Sequence, residues 1–155
     1  MTPQTDALDV TRLLSMIATG WNAASGAMLA KPFADEADFI NIMGLHGRGR
    51  EVIARGHDEI LSTVFRGTRM TAVVDSVRFL RPDVAAVEAT LSLQGADGQP
   101  FTFADPSRPP MPHTKAGYVA TKDGDTWSIA VFRNMVPFAR PAAGPVERAL
   151  EAARG

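Results

Sequence analysis

The chain lacks several residue types and patterns that mark particular classes of protein. Its 155 residues include no cysteine, so disulfide bonds and thiolate chemistry are excluded. It has no excess of charge either, because 16 basic residues balance 17 acidic ones, and we expect no broad surface for nucleic acid or anionic lipid. No run of about 18 apolar residues occurs, so we predict no membrane contact. The first ten residues carry two aspartates and no long apolar run, which argues against a signal peptide and favours a cytoplasmic protein.

The composition is that of a globular protein. Hydrophobic residues make up 45% of the chain and charged residues 21%, which are typical values for a folded domain. A length of 155 residues fits one domain built on one core. We therefore predict a single domain over 1–155, with a core at about 5–137 and a tail at 138–155 that can form one short helix at 146–154.

The first half of the chain has a helical pattern interrupted by one strand. Val10, Leu13, Leu14, Ile17 and Trp21 recur at spacings of three and four, which places them on one face of a first helix. The pattern further predicts a short helix at 25–31, a strand at 37–43, a glycine-rich loop at 44–49 and a helix at 50–65.

The second half has a β pattern. It predicts strands at 70–80, 84–93, 114–122 and 126–135. Simple alternation places Val73, Val77 and Phe79 on one face of the first of these strands. The segment 95–112, with five prolines and two glycines, is predicted to be a long irregular loop of the kind that is often functional. Three helices around one strand, followed by four antiparallel strands, make an α+β fold.

Two segments resemble a known superfamily. Residues 33–39 read F-A-D-E-A-D-F, and residues 47–53 read G-R-G-R-E-V-I. They are similar to the F-A-D-D-A-D-F segment and the G-R-x-x-I helix start of the SnoaL-like members of the nuclear transport factor 2-like superfamily. Within that group, the chain resembles a small subgroup from enediyne and other natural-product gene clusters. The shared features are Trp21, His57 and a final strand with a W-x-I…N pattern that runs from Trp127 to Asn134.

The resemblance covers roughly residues 5–137 and carries several implications. It implies a cone-shaped fold in which three N-terminal helices and a curved antiparallel sheet enclose a pocket, and it implies a homodimer. In the steroid-isomerase branch a catalytic carboxylate lies on the first strand, at the position that falls on Asn41 here. A neutral asparagine cannot act as a general base, so we do not expect that chemistry, although Asn41 can orient a ligand carbonyl or a water. The superfamily includes enzymes and binding modules, so the function must be argued from the site.

His57 is the candidate catalytic residue. It shares one face of the predicted helix at 50–65 with Ile53, Ile60, Leu61 and Val64, so its side chain is expected inside the fold. Imidazole titrates close to neutrality and suits acid–base catalysis. The alternative is a buried structural histidine that is satisfied by a backbone or side-chain partner.

The candidate ligand-binding residues are aromatic and amide side chains. Trp21, Phe39 and Phe132 are predicted as apolar walls, and Asn41 and Asn134 as groups that orient polar atoms of a ligand.

The register of the last hairpin decides where Asn134 lies. With a turn at 123–125, the register places Asn134 opposite Thr114 or Lys115, near His113. Alternation places Asn134 on the face of Ser128, Ala130 and Phe132, opposite Trp127, Ile129 and Val131, unless a bulge intervenes.

Other polar groups have simpler interpretations. Arg78 and Glu88 are diagonal neighbours in the predicted hairpin and can form an ion pair, while Arg78 is alternatively a site for an acidic substrate group. The acidic residues of 35–38 are expected to form a solvated turn. The three histidines lack metal-ligand spacing and no phosphate-loop motif is present, so we predict neither a metal nor another cofactor.

Three functional hypotheses follow. The first is a pocket that binds, or rearranges by cofactor-free acid–base chemistry, a small apolar or polyketide-like compound, as an isomerase, dehydratase or cyclase would. The second is a non-catalytic homodimeric binding module. The third is an accessory role in an oxidation, which no motif in the chain supports.

Overall fold

The computed structural model describes residues 2–108, 111, 113–137 and 144–154. These residues contain four helices and six strands. The helices are α1 (Pro3–Asn22), α2 (Gly26–Ala30), α3 (Arg50–Ser62) and α4 (Pro145–Ala152). The strands are β1 (Phe33–Ile40), β2 (His46–Arg48), β3 (Arg69–Arg81), β4 (Val84–Gln94), β5 (His113–Asp123) and β6 (Thr126–Met135). None of these helices combines the length and hydropathy that a membrane-spanning segment requires.

The strands form one sheet in the order β2-β1-β6-β5-β4-β3. Strands β3 to β6 pair antiparallel, as the sequence predicted. Strand β1 lies parallel to β6, with Phe39 opposite Phe132, so the sheet is mixed. The helical first half of the chain therefore contributes an edge of the sheet and also the helices that cover it, which is the predicted α+β fold.

Helix α1 packs on the sheet through the predicted apolar face. Val10, Leu13, Leu14, Ile17 and Trp21 are all buried. The opposing face of β4 alternates as predicted, and its buried residues are Ala85, Val87, Ala89, Leu91 and Leu93. Helix α1 comes closest to β3 and β6, and hydrophobic burial holds the helix and the sheet together.

The first strand begins earlier than the sequence predicted, at Phe33 instead of residue 37. Phe33 is fully buried and Arg50 donates from Nε to its carbonyl oxygen at 2.8 Å, which ties the strand to the start of α3. The segment predicted as a loop at 44–49 contains β2, because a tight turn after Asn41 folds the chain back onto β1. Gly44, at φ +79°, supplies the left-handed backbone that this turn requires.

Two β-bulges change which side chains face the core. In β3, Asp75 is skipped between the pairs Val74–Ala89 and Ser76–Glu88. Val77 and Phe79 therefore face the core side, but Val73, at 55% exposure, does not, so the prediction of one shared face was wrong for Val73. In β6, Ala130 is skipped between the pairs Ala120–Ile129 and Val119–Val131.

The loop after β4 packs against the domain instead of projecting from it. Phe101 and Met111 are buried, and Phe65, Phe101 and Phe103 form an aromatic cluster with ring-centroid distances of 5.0–6.0 Å. The guanidinium of Arg108 lies 4.7 Å from the ring centre of Phe103. Residues 109, 110 and 112 of this predicted loop lie outside the described residues.

The predicted short helix near the C-terminus is present as α4. Its Val146 and Leu150 are exposed, so α4 buries no apolar side chain against the described part of the fold.

Candidate functional site

A cavity of about 510 Å³ lies between α3, the β1–β2 turn and the core-facing side of the sheet. Its lining is mostly apolar and includes Ile42, Ile53, Ile60, Phe65, Met70, Leu91, Leu93 and Met111. Met43, Leu45 and Val52 also line it while remaining largely exposed, so the mouth of the cavity opens between the β1–β2 turn and α3. The size and the apolar walls are those of a small-molecule site.

His57 lines this cavity from α3, as its place on the helical stripe predicted. Its Nδ1–H donates to the carbonyl oxygen of Ile53 at 2.8 Å, since a carbonyl can only accept. The other ring nitrogen, Nε2, therefore carries the lone pair of the neutral imidazole, and no described residue forms a hydrogen bond with it. Burial lowers the pKa of His57 from its usual 6.5, more than the Ile53 carbonyl and the Asp58 carboxylate raise it. The side chain is thus held as a neutral hydrogen-bond acceptor.

Aromatic rings fix the orientation of the His57 imidazole. Phe39 lies edge-to-face with it at 5.3 Å, and Trp21 does so at 6.3 Å. Trp21 is fixed in turn, because its Nε1–H donates to Thr68 Oγ1 at 3.0 Å. The ring of Trp21 therefore faces the cavity while its polar atom is satisfied elsewhere.

Phe132 does not line the cavity as we predicted from the sequence. It is 2% exposed and stacks behind Phe39, with ring centres 5.1 Å apart and an angle of 2° between the ring planes. The direct pairing of Phe39 with Phe132 across β1 and β6 produces this stack. Phe132 therefore supports the wall that Phe39 presents to the cavity.

Asn134 lines the cavity, but its register differs from the prediction. It pairs with Ala116 instead of Thr114 or Lys115, because the bulge at Ala130 shifts β6 by one residue. The same bulge places Asn134 on the face of Trp127, Ile129 and Phe132. Its Oδ1 is buried and has no hydrogen-bond partner in the described part of the chain.

Asn41 lines the cavity as well, but its side-chain oxygen is already engaged. Oδ1 accepts from the backbone N–H groups of Met43 at 2.9 Å and Leu45 at 3.0 Å. This bonding stabilises the turn that joins β1 to β2. The predicted role of Asn41 in orienting a ligand is therefore restricted to its amide nitrogen.

The sequence reasoning missed several residues of the cavity. Thr114, which is 4% exposed, projects into it from β5 beside the position of Asn134, while the neighbouring His113 is exposed. Side chains alternate along β5, so assigning Thr114 to the core side would have placed His113 on the outside. Met111 brings the end of the long loop into the wall, a contact for which the sequence offers no local signal.

A second polar group lies at the rim of the cavity. His46 Nε2 lies 2.7 Å from an Asp38 carboxylate oxygen, and Arg48 Nε lies 3.8 Å from the same oxygen. The hydrogen bond from His46 and the nearby arginines lower the pKa of Asp38. Among the described residues, no three histidine, aspartate or glutamate side chains are gathered as in a metal site.

The other sequence-predicted polar groups lie elsewhere. Asp35 forms an exposed ion pair with Arg50 at 3.0 Å. Arg78 pairs with Ala86 in the predicted register, but Arg78 and Glu88 form no ion pair within 4.0 Å. Neither of them lines the cavity.

Comparison with solved structures identifies the architecture. A domain of unknown function with a cystatin-like fold from Nostoc punctiforme matches with a TM-score of 0.74 at 24% identity, covering 99% of this chain and 96% of that one. A type 2 hexachlorocyclohexane dehydrochlorinase matches with a TM-score of 0.72 at 12% identity, covering 91% of both chains. A protein of the NTF2-like family from Streptomyces avermitilis matches with a TM-score of 0.66 at 15% identity, covering 89% of this chain and all of that one. The chain has the cystatin-like, NTF2-like fold.

No family model and no curated protein matches the chain by sequence. The NTF2-like fold expected from the F-A-D-E-A-D-F and G-R-G-R-E-V-I segments is confirmed, whereas the SnoaL-like subgroup stays a prediction. Because one fold can host different functions, the function of this chain must be inferred from the residues of its cavity.

Proposed function

We propose that the chain binds a small, largely apolar compound in the 510 Å³ cavity and that His57 takes a proton from it. The observation that carries this proposal is the state of the imidazole. Its Nδ1–H is held by the Ile53 carbonyl, so Nε2 offers a lone pair to the cavity. A base that is neutral near physiological pH and partly shielded from water suits general-base catalysis.

The walls of the cavity define the class of compound. The lining includes the aromatic rings of Trp21, Phe39 and Phe65 and the side chains of Met70 and Met111. Such walls favour a flat, apolar ligand through burial of hydrophobic surface. The SnoaL-like resemblance supports a polyketide-like compound, and isomerase, dehydratase and cyclase reactions can each begin with removal of a proton from the substrate.

One observation favours the alternative, a binding module without catalysis. His57 is oriented by a backbone carbonyl, and no carboxylate forms a hydrogen bond with its ring as in a catalytic dyad, although the Asp58 charge lies nearby. Under this alternative the ligand is held and released unchanged.

A base-sensitive probe separates the two functions. The probe 5-nitrobenzisoxazole is flat and apolar, and removal of its ring C–H proton by a base breaks the N–O bond to give coloured 2-cyano-4-nitrophenolate. We expect the protein to accelerate this elimination and the variant His57→Phe, which keeps the ring contacts but lacks the nitrogens, to lose roughly 100-fold or more in rate. The rate is expected to rise with pH through the lowered pKa of His57 and to be level at neutral pH.

The matched control is His113→Phe, which removes an exposed histidine outside the cavity. It should leave the rate of elimination unchanged. Equal rates for His57→Phe and the unsubstituted protein, with the probe bound in both, would remove the catalytic role and leave the binding module.

The SnoaL-like resemblance suggests a homodimer, and the balanced charge suggests that neither nucleic acid nor anionic lipid is a partner. A cytoplasmic site of action is the default for such a chain. These remain proposals. Sedimentation velocity across a range of protein concentrations tests the dimer directly.

A further inference from the structure

A second, smaller hollow lies next to the main cavity, and two aromatic residues line both. The hollow has a volume of about 260 Å³ and is bordered by the last turns of α1 and α3 and by the segment that leads into β3. Trp21 and Phe65 belong to its lining and also to the lining of the 510 Å³ cavity. We call these two side chains the partition, because residues that line two neighbouring spaces lie between them.

The contacts of Trp21 extend from one space to the other. Its Nε1–H donates at 3.0 Å to the hydroxyl of Thr68, which lines the hollow but not the cavity. Its ring lies edge-to-face with His57 at 6.3 Å, and His57 lines the cavity but not the hollow. At Trp21, therefore, an indole separates the two spaces, and a hydrogen bond holds it in place.

Phe65 completes the partition, and its ring is held by aromatic packing. The ring centre lies 5.3 Å from that of Trp21 and 5.0 Å from that of Phe101, and the residue is 7% exposed. The backbone is fixed separately, because its N–H donates to the Ile60 carbonyl at 2.8 Å and its carbonyl accepts from Thr68 Oγ1 at 2.7 Å. A shorter side chain would thus remove the ring from the partition and keep the groups that form these backbone hydrogen bonds.

We infer that Phe65 limits the length of the compounds that the cavity accepts, which makes it a specificity-determining residue. The inference rests on the proposed small-molecule function. A compact ring compound fits within the cavity, whereas the end of a long alkyl group meets the partition. Displacing closely packed rings costs contacts that the end of an alkyl group does not replace. The protein should therefore prefer compact ring compounds to long-chain lipids.

A series of 4-alkylphenols, from 4-ethylphenol to 4-octylphenol, tests this limit on the complete chain by isothermal titration calorimetry. Each methylene that enters an apolar cavity should tighten binding about fourfold. In the unsubstituted protein we expect this gain to stop once the alkyl group reaches the partition. In Phe65→Ala the gain should continue, so that 4-octylphenol binds roughly tenfold more tightly than to the unsubstituted protein, while 4-ethylphenol binds about equally to both.

The matched control is Phe103→Ala. Phe103 belongs to the same aromatic cluster, with its ring centre 6.0 Å from that of Phe65, but it lines neither the cavity nor the hollow. This variant should keep the length limit of the unsubstituted protein. Phe65→Leu, which retains an apolar side chain at the partition, should give a smaller shift in the same direction as Phe65→Ala. Circular dichroism checks that each variant is folded.

The outcomes distinguish this inference from the proposed function. The same length limit in the unsubstituted protein and in every folded Phe65 variant would overturn the role of Phe65 but leave the cavity as a ligand site. A limit that is relaxed equally in Phe103→Ala would also overturn it, because general loosening of the aromatic cluster would then be the cause. Failure of every phenol and of 5-nitrobenzisoxazole to bind would remove the cavity as a ligand site and both proposals with it.

Discussion

At the scale of single residues, the protonation state of His57 depends on burial, which lowers its pKa, and on nearby groups that raise it. The Ile53 carbonyl holds Nδ1–H, and this raises the pKa because it favours a protonated ring nitrogen. Removal of the ring from water lowers the pKa and is the larger effect. Burial of the ring therefore keeps Nε2 unprotonated, and no described residue forms a hydrogen bond with it.

We predict that NMR titration of the His57 ring protons gives a pKa below 6.5, while the exposed His113 serves as an internal reference in the same spectrum. The unfolded chain then binds more protons than the fold as the pH falls, so the contribution of His57 to stability is complete above pH 6.5 and is lost as the pH falls through the lowered pKa. Urea denaturation at pH 7.5 and pH 5 should therefore show a smaller loss of stability for His57→Phe than for the unsubstituted protein. A pKa above 6.5, or an equal loss in both proteins, would contradict the prediction.

At the scale of elements, periodicity predicted most of the helices and strands, but it missed β2 and did not show where strands slip by one residue. The face of α1, the alternation of β4 and the 123–125 hairpin followed directly from residue spacing. Bulges at Asp75 and Ala130 reversed the facing of the residues beyond them. Asp75 is held on the outer face by Lys115 and Thr90, at 2.9 Å and 2.7 Å, and those contacts depend on the folded sheet.

In the candidate site, too, local spacing predicted some residues, while others depend on contacts between strands. His57 could be placed from its own helix, because the apolar stripe of α3 fixes the direction in which it faces. Phe132 and Asn41 were assigned to the cavity lining by position alone. The stack of Phe132 behind Phe39 and the hydrogen bonds from the turn to Asn41 arise from pairings between β1 and its neighbours, which no local pattern encodes.

The crossing of α1 and α2 depends on the absence of a side chain at Gly20. A Cβ at this position would lie 2.2 Å from the backbone nitrogen of Leu29 and 2.4 Å from its Cα, both rigid backbone atoms. We predict that Gly20→Ala lowers the free energy of unfolding by about 2–4 kcal/mol, because the two helices must separate. Chemical denaturation followed by circular dichroism measures this loss.

Gly56 provides the matched substitution within a helix. It lies inside α3, and nothing approaches within 4 Å of a Cβ placed there. Gly56→Ala should raise the free energy of unfolding by about 0.5–1 kcal/mol through the better helix propensity of alanine. If both substitutions changed stability alike, close packing at the α1–α2 crossing would not be the reason that Gly20 is required.

At the scale of the whole molecule, the interior has a closed part and an open part. Near the start of α1, the Tyr118 hydroxyl donates to the Val10 carbonyl at 2.8 Å, and Asp6 accepts from Lys122 and Trp127 at 2.8 Å and 2.9 Å. Polar groups there are paired with one another. At the other end, the cavity lies between α3 and the β1–β2 turn, and Asn134 Oδ1 has no hydrogen-bond partner among the described residues. Among the described residues, the buried side-chain polar atom without a hydrogen-bond partner therefore belongs to a residue that lines the cavity.

This distribution predicts opposite effects of one substitution at two asparagines. Asn134→Leu replaces a half-buried amide, whose oxygen is buried without a partner, with an apolar side chain of similar size, and it should raise the free energy of unfolding by about 1 kcal/mol. Asn22→Leu removes two hydrogen bonds, of 2.7 Å and 3.0 Å, to the backbone of Met70, and it should lower that energy by about 1–3 kcal/mol. Urea denaturation of both variants gives the comparison. A loss of stability in Asn134→Leu similar to that in Asn22→Leu would mean that Asn134 serves the fold, whereas a gain would mean that the chain retains this amide at a cost to stability, as a binding group requires.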